Sequence, residues 1–154
     1  MPDDPPPPGV DASGLQKDLG DLFDTPADTT ADCAAAWAAA ATAYATGVKP
    51  KSGAVAAAEE ALSAAIKTAF DTHSTDAAAD LETAFTAWAT AIGAGMAGFV
   101  PAPPPAAIGF AALFTEPYPS SHTVAADMIA QAIDTWFRTG TATPSSGGGP
   151  ILWS

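Results

Sequence analysis

The sequence contains no asparagine, one cysteine, two histidines and five lysines and arginines in 154 residues. Each shortage closes off a class of protein. Without asparagine there is no N-glycosylation sequon. Cys33 alone cannot form an intrachain disulfide. Five basic residues against 17 acidic ones leave a net charge of −12. That balance lacks the clustered Lys and Arg that neutralise phosphate, which argues against nucleic acid and against anionic membrane surfaces as partners. Gly, Pro and acidic residues interrupt every apolar run well before the ~20 residues of a membrane span. The opening Met1-Pro2-Asp3-Asp4-Pro5 has neither the basic nor the apolar region of a signal peptide, so the expected product is made in the cytoplasm and is soluble.

What the sequence has in quantity is alanine, within a hydrophobic content of 48%. The length fits one domain. Alanine buries little area, and at ~25 cal/mol per Å² it stabilises a core less than Leu or Phe would. It does let helices approach closely. The expected fold is all-α: a small bundle of about four helices over residues 15–140, which leans on neighbours for part of its stability. A Pro/Asp-rich arm (1–14) precedes it and an extended tail (141–154) follows.

In the arm, Pro5 to Pro8 favour polyproline II. Leu15, Leu19, Leu22 and Phe23 then recur at helical spacing, with Ser13 as N-cap. A helix so short must pack on its own bundle or in a partner's groove. Thr25-Pro26-Ala27-Asp28 reads as the start of the first long helix, with Cys33, Trp37, Ala40 and Tyr44 on one face, ended by Gly47 and Pro50. Ser52 reads as the cap of a second helix over 53–71, striped by Val55, Leu62, Ile66, Ala69 and Phe70. The third begins near Ser74 or Thr75 and carries Leu81, Phe85, Trp88, Ile92 and Phe99. Residues 100–120 hold six prolines yet also Ile108, Phe110, Leu113 and Phe114, too apolar for a free linker. They read as an irregular crossover with a short turn at 106–114, and a loop of that length is often functional. The fourth helix spans Ser121 to Arg138 and stops at Gly140. The tail combines a Gly/Ser spacer with Ile151-Leu152-Trp153, which reads as a tether with an anchor. Trp153 either folds back on its own bundle or inserts into another subunit, where Trp is a favoured hot-spot residue.

Four constellations invite a chemical reading. Gly93-Ala94-Gly95-Met96-Ala97-Gly98 matches the dinucleotide pattern, but it closes a helix, whereas the motif must open one. Helix packing and termination explain it more simply. His73 stands among Asp71, Asp76 and Asp80; a metal would need such ligands to converge, and acids in a first helical turn explain two of them. Cys33 with His73 or His122 is a formal nucleophile–base pair, although lone cysteines among alanines are usually core residues. Glu59 and Glu60 are adjacent and therefore diverge on a helix surface. None of these is taken as a catalytic, cofactor or metal site. The proline-rich segments lack the flanking basic residue of many proline-motif ligands.

In the C-terminal third, His122-Thr123-Val124-Ala125-Ala126, then Thr135-Trp136-Phe137-Arg138-Thr139-Gly140-Thr141-Ala142-Thr143-Pro144, and the close Gly149-Pro150-Ile151-Leu152-Trp153-Ser154 resemble small Ala-rich virion proteins of tailed bacteriophages. The likeness covers roughly residues 81–154. It implies a structural protein of the neck, tail or baseplate, made in the host cytoplasm, present in repeated copies in the virion, with no catalytic residues. Its partners would be copies of itself and other structural proteins. The contact residues expected from the sequence are Leu15, Leu19, Leu22 and Phe23, then Phe110, Leu113 and Phe114, then Ile151, Leu152 and Trp153. The rivals are an amphipathic helical binding or surface-coating protein and, last, a metal-dependent enzyme built on the His73 cluster.

Overall fold

The apolar positions at three- and four-residue spacing do fold as helices, and side-chain oxygens fix where several of them start. In the computed structural model, which describes residues 9–72, 76–114 and 119–154, the order is α1 (Ala12–Asp24), α2 (Thr30–Ala45), α3 (Val55–Asp71), α4 (Ala77–Ala94), β1 (Phe99–Ala102), α5 (Phe110–Leu113), α6 (His122–Phe137), β2 (Thr141–Pro144) and β3 (Ile151–Leu152). The fold is mainly helical, with one small sheet.

Two expected caps move. Asp11, not Ser13, opens α1: its carboxylate accepts from Gly14 N–H at 2.9 Å. Helix α2 begins at Thr30 rather than near Thr25, because Thr25 donates its N–H to Asp21 C=O and closes α1. Thr29 is the cap instead, accepting from Asp32 N–H at 3.1 Å, with Asp32 in the first turn where the helix dipole favours an acid. Ser52 does not cap α3; its hydroxyl donates to Ile92 C=O at 2.5 Å and so ties the α2–α3 loop to α4. Ser121 caps α6. The candidate caps Ser74 and Thr75 and the metal candidate His73 lie outside the described residues, as do the prolines of the arm.

Helix α2 packs on α3, α3 on α4, and α1 bridges α2 and α6. Alanines 34, 38, 41, 45, 89 and 130 are almost wholly buried between helices. The bulk of the core comes from rings: Phe85 contacts Trp37, Trp88 and Phe110, and Phe137 contacts Tyr44, Trp88 and Trp153. Small residues bring the backbones together and aromatics fill what remains.

Of the two fates open to the tail, it takes the fold-back onto its own bundle. Residues 141–144 pair antiparallel with 99–102, and Ile151-Leu152 return along β2, giving strand order β1-β2-β3. Trp153 lies 1% exposed against Phe137. Beyond it, Ser154 exchanges two backbone hydrogen bonds with Lys49, at 2.7 and 3.1 Å. At the other end, Val10 is buried and Asp11 N–H donates to Tyr44 C=O, so the described part of the arm is already bundle.

Candidate functional site: an uncharged interaction surface

The expected contact residues divide cleanly. Leu15, Leu19, Phe110 and Trp153 are buried in this chain's own core, so they are not surface anchors. The reason is volume: an alanine-lined bundle leaves space that only large side chains fill, and the chain supplies them itself. Leu22, Phe23 and Leu113 are partly buried against the same core, Phe23 with its ring 5.9 Å from Trp37. Phe114 stacks parallel on Phe110 and remains 40% exposed. Ile151 and Leu152 are the exposed pair of the tail, at 47% and 63%. Sequence reasoning missed Val100, also 63% exposed, because a Pro-flanked valine carries no period to read.

Two surfaces carry exposed apolar side chains, Val100 and Leu152 on one and Met128 on the other, while Ile151 pairs with Ala142 on the opposite face of the sheet. The first is the outer face of the sheet. Register places Val100 opposite Thr143, and Thr141 opposite both Ala102 and Leu152. Paired residues share a face, so Val100, Ala102, Thr141, Thr143 and Leu152 point outward together, while Ala142 and Pro101 point in. Pro101 meets Gly93 of α4, where an added Cβ would come within 3.0 Å of the proline ring and of Trp153.

The second surface is a groove of about 500 Å³ between α6 and the crossover, lined by Ile108, Leu113, Met128, Ala132, Trp136 and neighbouring polar uncharged side chains. The crossover is pinned on both sides of it. The Glu82 carboxylate accepts from the backbone N–H groups of Ile108, Gly109 and Phe110 at 2.8, 2.5 and 2.8 Å. The Trp136 indole N–H donates to Ala106 C=O at 2.6 Å. Gly109 adopts φ +94°, which turns the chain so that all three donors reach one carboxylate.

The strands lie in stretches without charged side chains, and the side chains lining the groove are uncharged. The sequence carries no charged side chain from Thr83 through Phe114, nor from Thr139 through Ser154, so the 17 acids lie elsewhere. All three strands fall inside these uncharged stretches. Some of the ionisable residues pair locally: Lys17 with Asp21, Arg138 with Asp134, and His122 Nδ1 facing Asp24 at 3.2 Å.

Three of the four chemical candidates take ordinary structural positions, and His73, the centre of the fourth, lies outside the described residues. Gly93 and Gly95 are points of close approach, Gly95 beside Ala54 and Ser52, with its carbonyl accepting Gly53 N–H. Cys33 sits half-buried in α2, and burial pushes its thiol up. Glu59 and Glu60 line a shallow cleft between α2 and α3 with Lys67. Among the described residues no group of three or more His, Cys, Asp or Glu side chains is placed to hold a metal ion. No described helix is long and apolar enough to cross a membrane. Compared with protein-family models, curated proteins and solved structures, the chain matches none.

Proposed function

We propose that the chain is a non-enzymatic structural component of a tailed bacteriophage particle, in the neck, tail or baseplate, which acts by packing against other protein chains. The observation that carries this reading is the uncharged, partly apolar sheet face on a protein of net charge −12. Exposed apolar surface without charge is the composition of a protein–protein contact rather than of a solvated face. The stretch that resembles phage virion proteins is also the stretch that builds this face, since α6, β2 and β3 all lie within it. Its partners in this reading are further copies and other virion proteins, and its place is the assembled particle.

The test is quantitative mass spectrometry of purified particles, with antibody labelling to locate the chain. A fixed copy number that survives a high-salt wash supports the reading. Absence from particles while the chain is abundant in infected cells would sink it.

The groove beside Trp136 favours a second reading, a binding or surface-coating protein. That reading predicts saturable uptake of an apolar dye, weakened by Met128→Asp, and reversible adsorption to alkane droplets.

A further inference from the structure

From Ile151 to Ser154 the tail is held by one buried side chain. Ile151 and Leu152 are exposed, Ser154 is half-buried, and Trp153 alone is buried. Backbone bonds flank that ring on both sides. Trp153 N–H donates to Gly140 C=O at 2.9 Å, and Ser154 exchanges two bonds with Lys49 at 2.7 and 3.1 Å. The seat itself belongs to the bundle. Its floor is Phe137, held by Tyr44 and Trp88 at ring distances of 5.5 and 5.4 Å. Its walls are Gly93 of α4 and Gly140, where an added Cβ would crowd the indole. Gly140 is fixed by its own N–H on Phe137 C=O at 3.1 Å. The buried Trp153 indole N–H finds no acceptor among the described residues, so the seat recognises a flat ring by its shape and not by a hydrogen bond.

This is the construction of a peptide-binding slot, with the chain's own tail as occupant. Main-chain bonds beside an extended segment give affinity, and a pocket for one alternate side chain gives specificity. Residues 145–150, all exposed, link the tail to β2. A Cβ on Gly147 or Gly149 would meet nothing within 4 Å, so the link carries the tail without being packed itself. A link this short presents the tail to its seat at an effective concentration on the order of millimolar, which keeps the slot closed in the isolated chain. We propose that the tail is a displaceable strap, and that in the particle the slot takes an extended segment of a different protein chain bearing one buried Trp; the inference rests on the assembly reading above and names the chemistry of the partner segment. The tail itself shows what fits: one large flat ring, with neighbours whose side chains stay outside. A second copy is a poor source. It brings another net charge of −12, and its tail would only equal the one already tethered.

The experiment replaces residues 147–149 of the full chain with a protease recognition sequence and cuts the folded protein there. A fluorescein-labelled peptide Gly-Pro-Ile-Leu-Trp-Ser, the sequence of residues 149–154, is then added. Circular dichroism follows the fold and fluorescence anisotropy follows the peptide. The expected result is a chain that stays helical after the cut and binds the peptide saturably, whereas the uncut chain does not. The peptide with Trp153→Ala should bind at least about tenfold more weakly. Loss of helicity on cutting would mean that the seat does not exist without the tail. A folded, cut chain that keeps its own tail through gel filtration and excludes the peptide would make the tail a fixed part of the core. Equal binding of the Ala peptide would mean that the slot does not read the ring. Each of these overturns the proposal. In purified particles, amine crosslinks from the exposed Lys49 should reach a Trp-bearing segment of another protein, and crosslinks confined to the chain itself would overturn the exchange. The copy-number measurement on particles decides the assembly reading separately.

Discussion

Trp153 occupies the space that a side chain on Gly140 would need: a Cβ built at Gly140 falls 2.5 Å from Trp153 Cδ2 and 2.6 Å from Cε3. The indole can lie on the end of α6, 5.0 Å from the Phe137 ring, because residue 140 has no side chain. The seat of Trp153 is thus a glycine three residues past the end of α6.

This coupling is measurable. Trp153→Ala removes a buried indole and is expected to cost about 3–5 kcal/mol. Gly140→Ala overpacks the same spot and is expected to cost about 1–3 kcal/mol. Once the indole is gone, an alanine at 140 meets little, so the double variant should be more stable than the sum of the singles implies. Urea unfolding of the four proteins gives the cycle. Strict additivity would mean that the tail does not bear on Gly140.

Glu82 is expected to hold the crossover in place. Its carboxylate accepts three backbone N–H groups in a row, and charge-assisted bonds of this kind are stronger than neutral ones. Glu82→Ala leaves three donors to find water and should cost about 1–3 kcal/mol. Amide exchange is the sharper readout: protection at Ile108, Gly109 and Phe110 should fall while the α2–α3 helices keep theirs. Equal loss across the whole chain would refute a local role.

The helices were legible because each long one repeats apolar residues over several turns, as Leu81, Phe85, Trp88 and Ile92 do. Their starts were less so. Thr25-Pro26-Ala27-Asp28 reads as a cap, but the backbone bond that closes α1 on Thr25 moves the start of α2 to Thr29, whose hydroxyl accepts from Asp32 N–H. The sheet was not legible at all. Strands of two to four residues are too short to show alternation, and Pro101 and Pro144 read as loop. Of the expected contact residues, Phe114, Ile151 and Leu152 are exposed, the last two in the short strand β3. Trp153 has the same local signal and the opposite fate, since its seat is made by Gly93 and Gly140, residues remote or silent in any local pattern.

Cys33 should be a sluggish thiol. Burial pushes its proton affinity up, and the thiolate is the reactive form. Alkylation by iodoacetamide at neutral pH is expected to run several-fold slower than for a small free thiol, and to accelerate only well above ~8.5, the ordinary thiol value. A rate at neutral pH equal to that of the small thiol would revive Cys33 as a nucleophile.

Alkaline pH should strike the bundle through Tyr44. Burial chiefly, and then the Asp134 carboxylate that its hydroxyl contacts at 2.9 Å, raise the phenol far above its ordinary value, with Arg138 partly opposing. The sign follows from proton counts: above about pH 10 the unfolded chain releases the Tyr44 proton and the folded chain keeps it, so stability falls by about 1.4 kcal/mol per pH unit. The contribution is whole below that pH and is lost above it. Tyr44→Phe removes both the hydrogen bond and the titration. Asp134 keeps Arg138 at 2.8 Å, so at neutral pH the variant should lose only about 1–2 kcal/mol. The gap between wild type and variant should then narrow from about pH 10 upward and reverse, as followed by urea midpoints at each pH. Parallel loss in both proteins would assign the alkaline sensitivity to groups other than Tyr44.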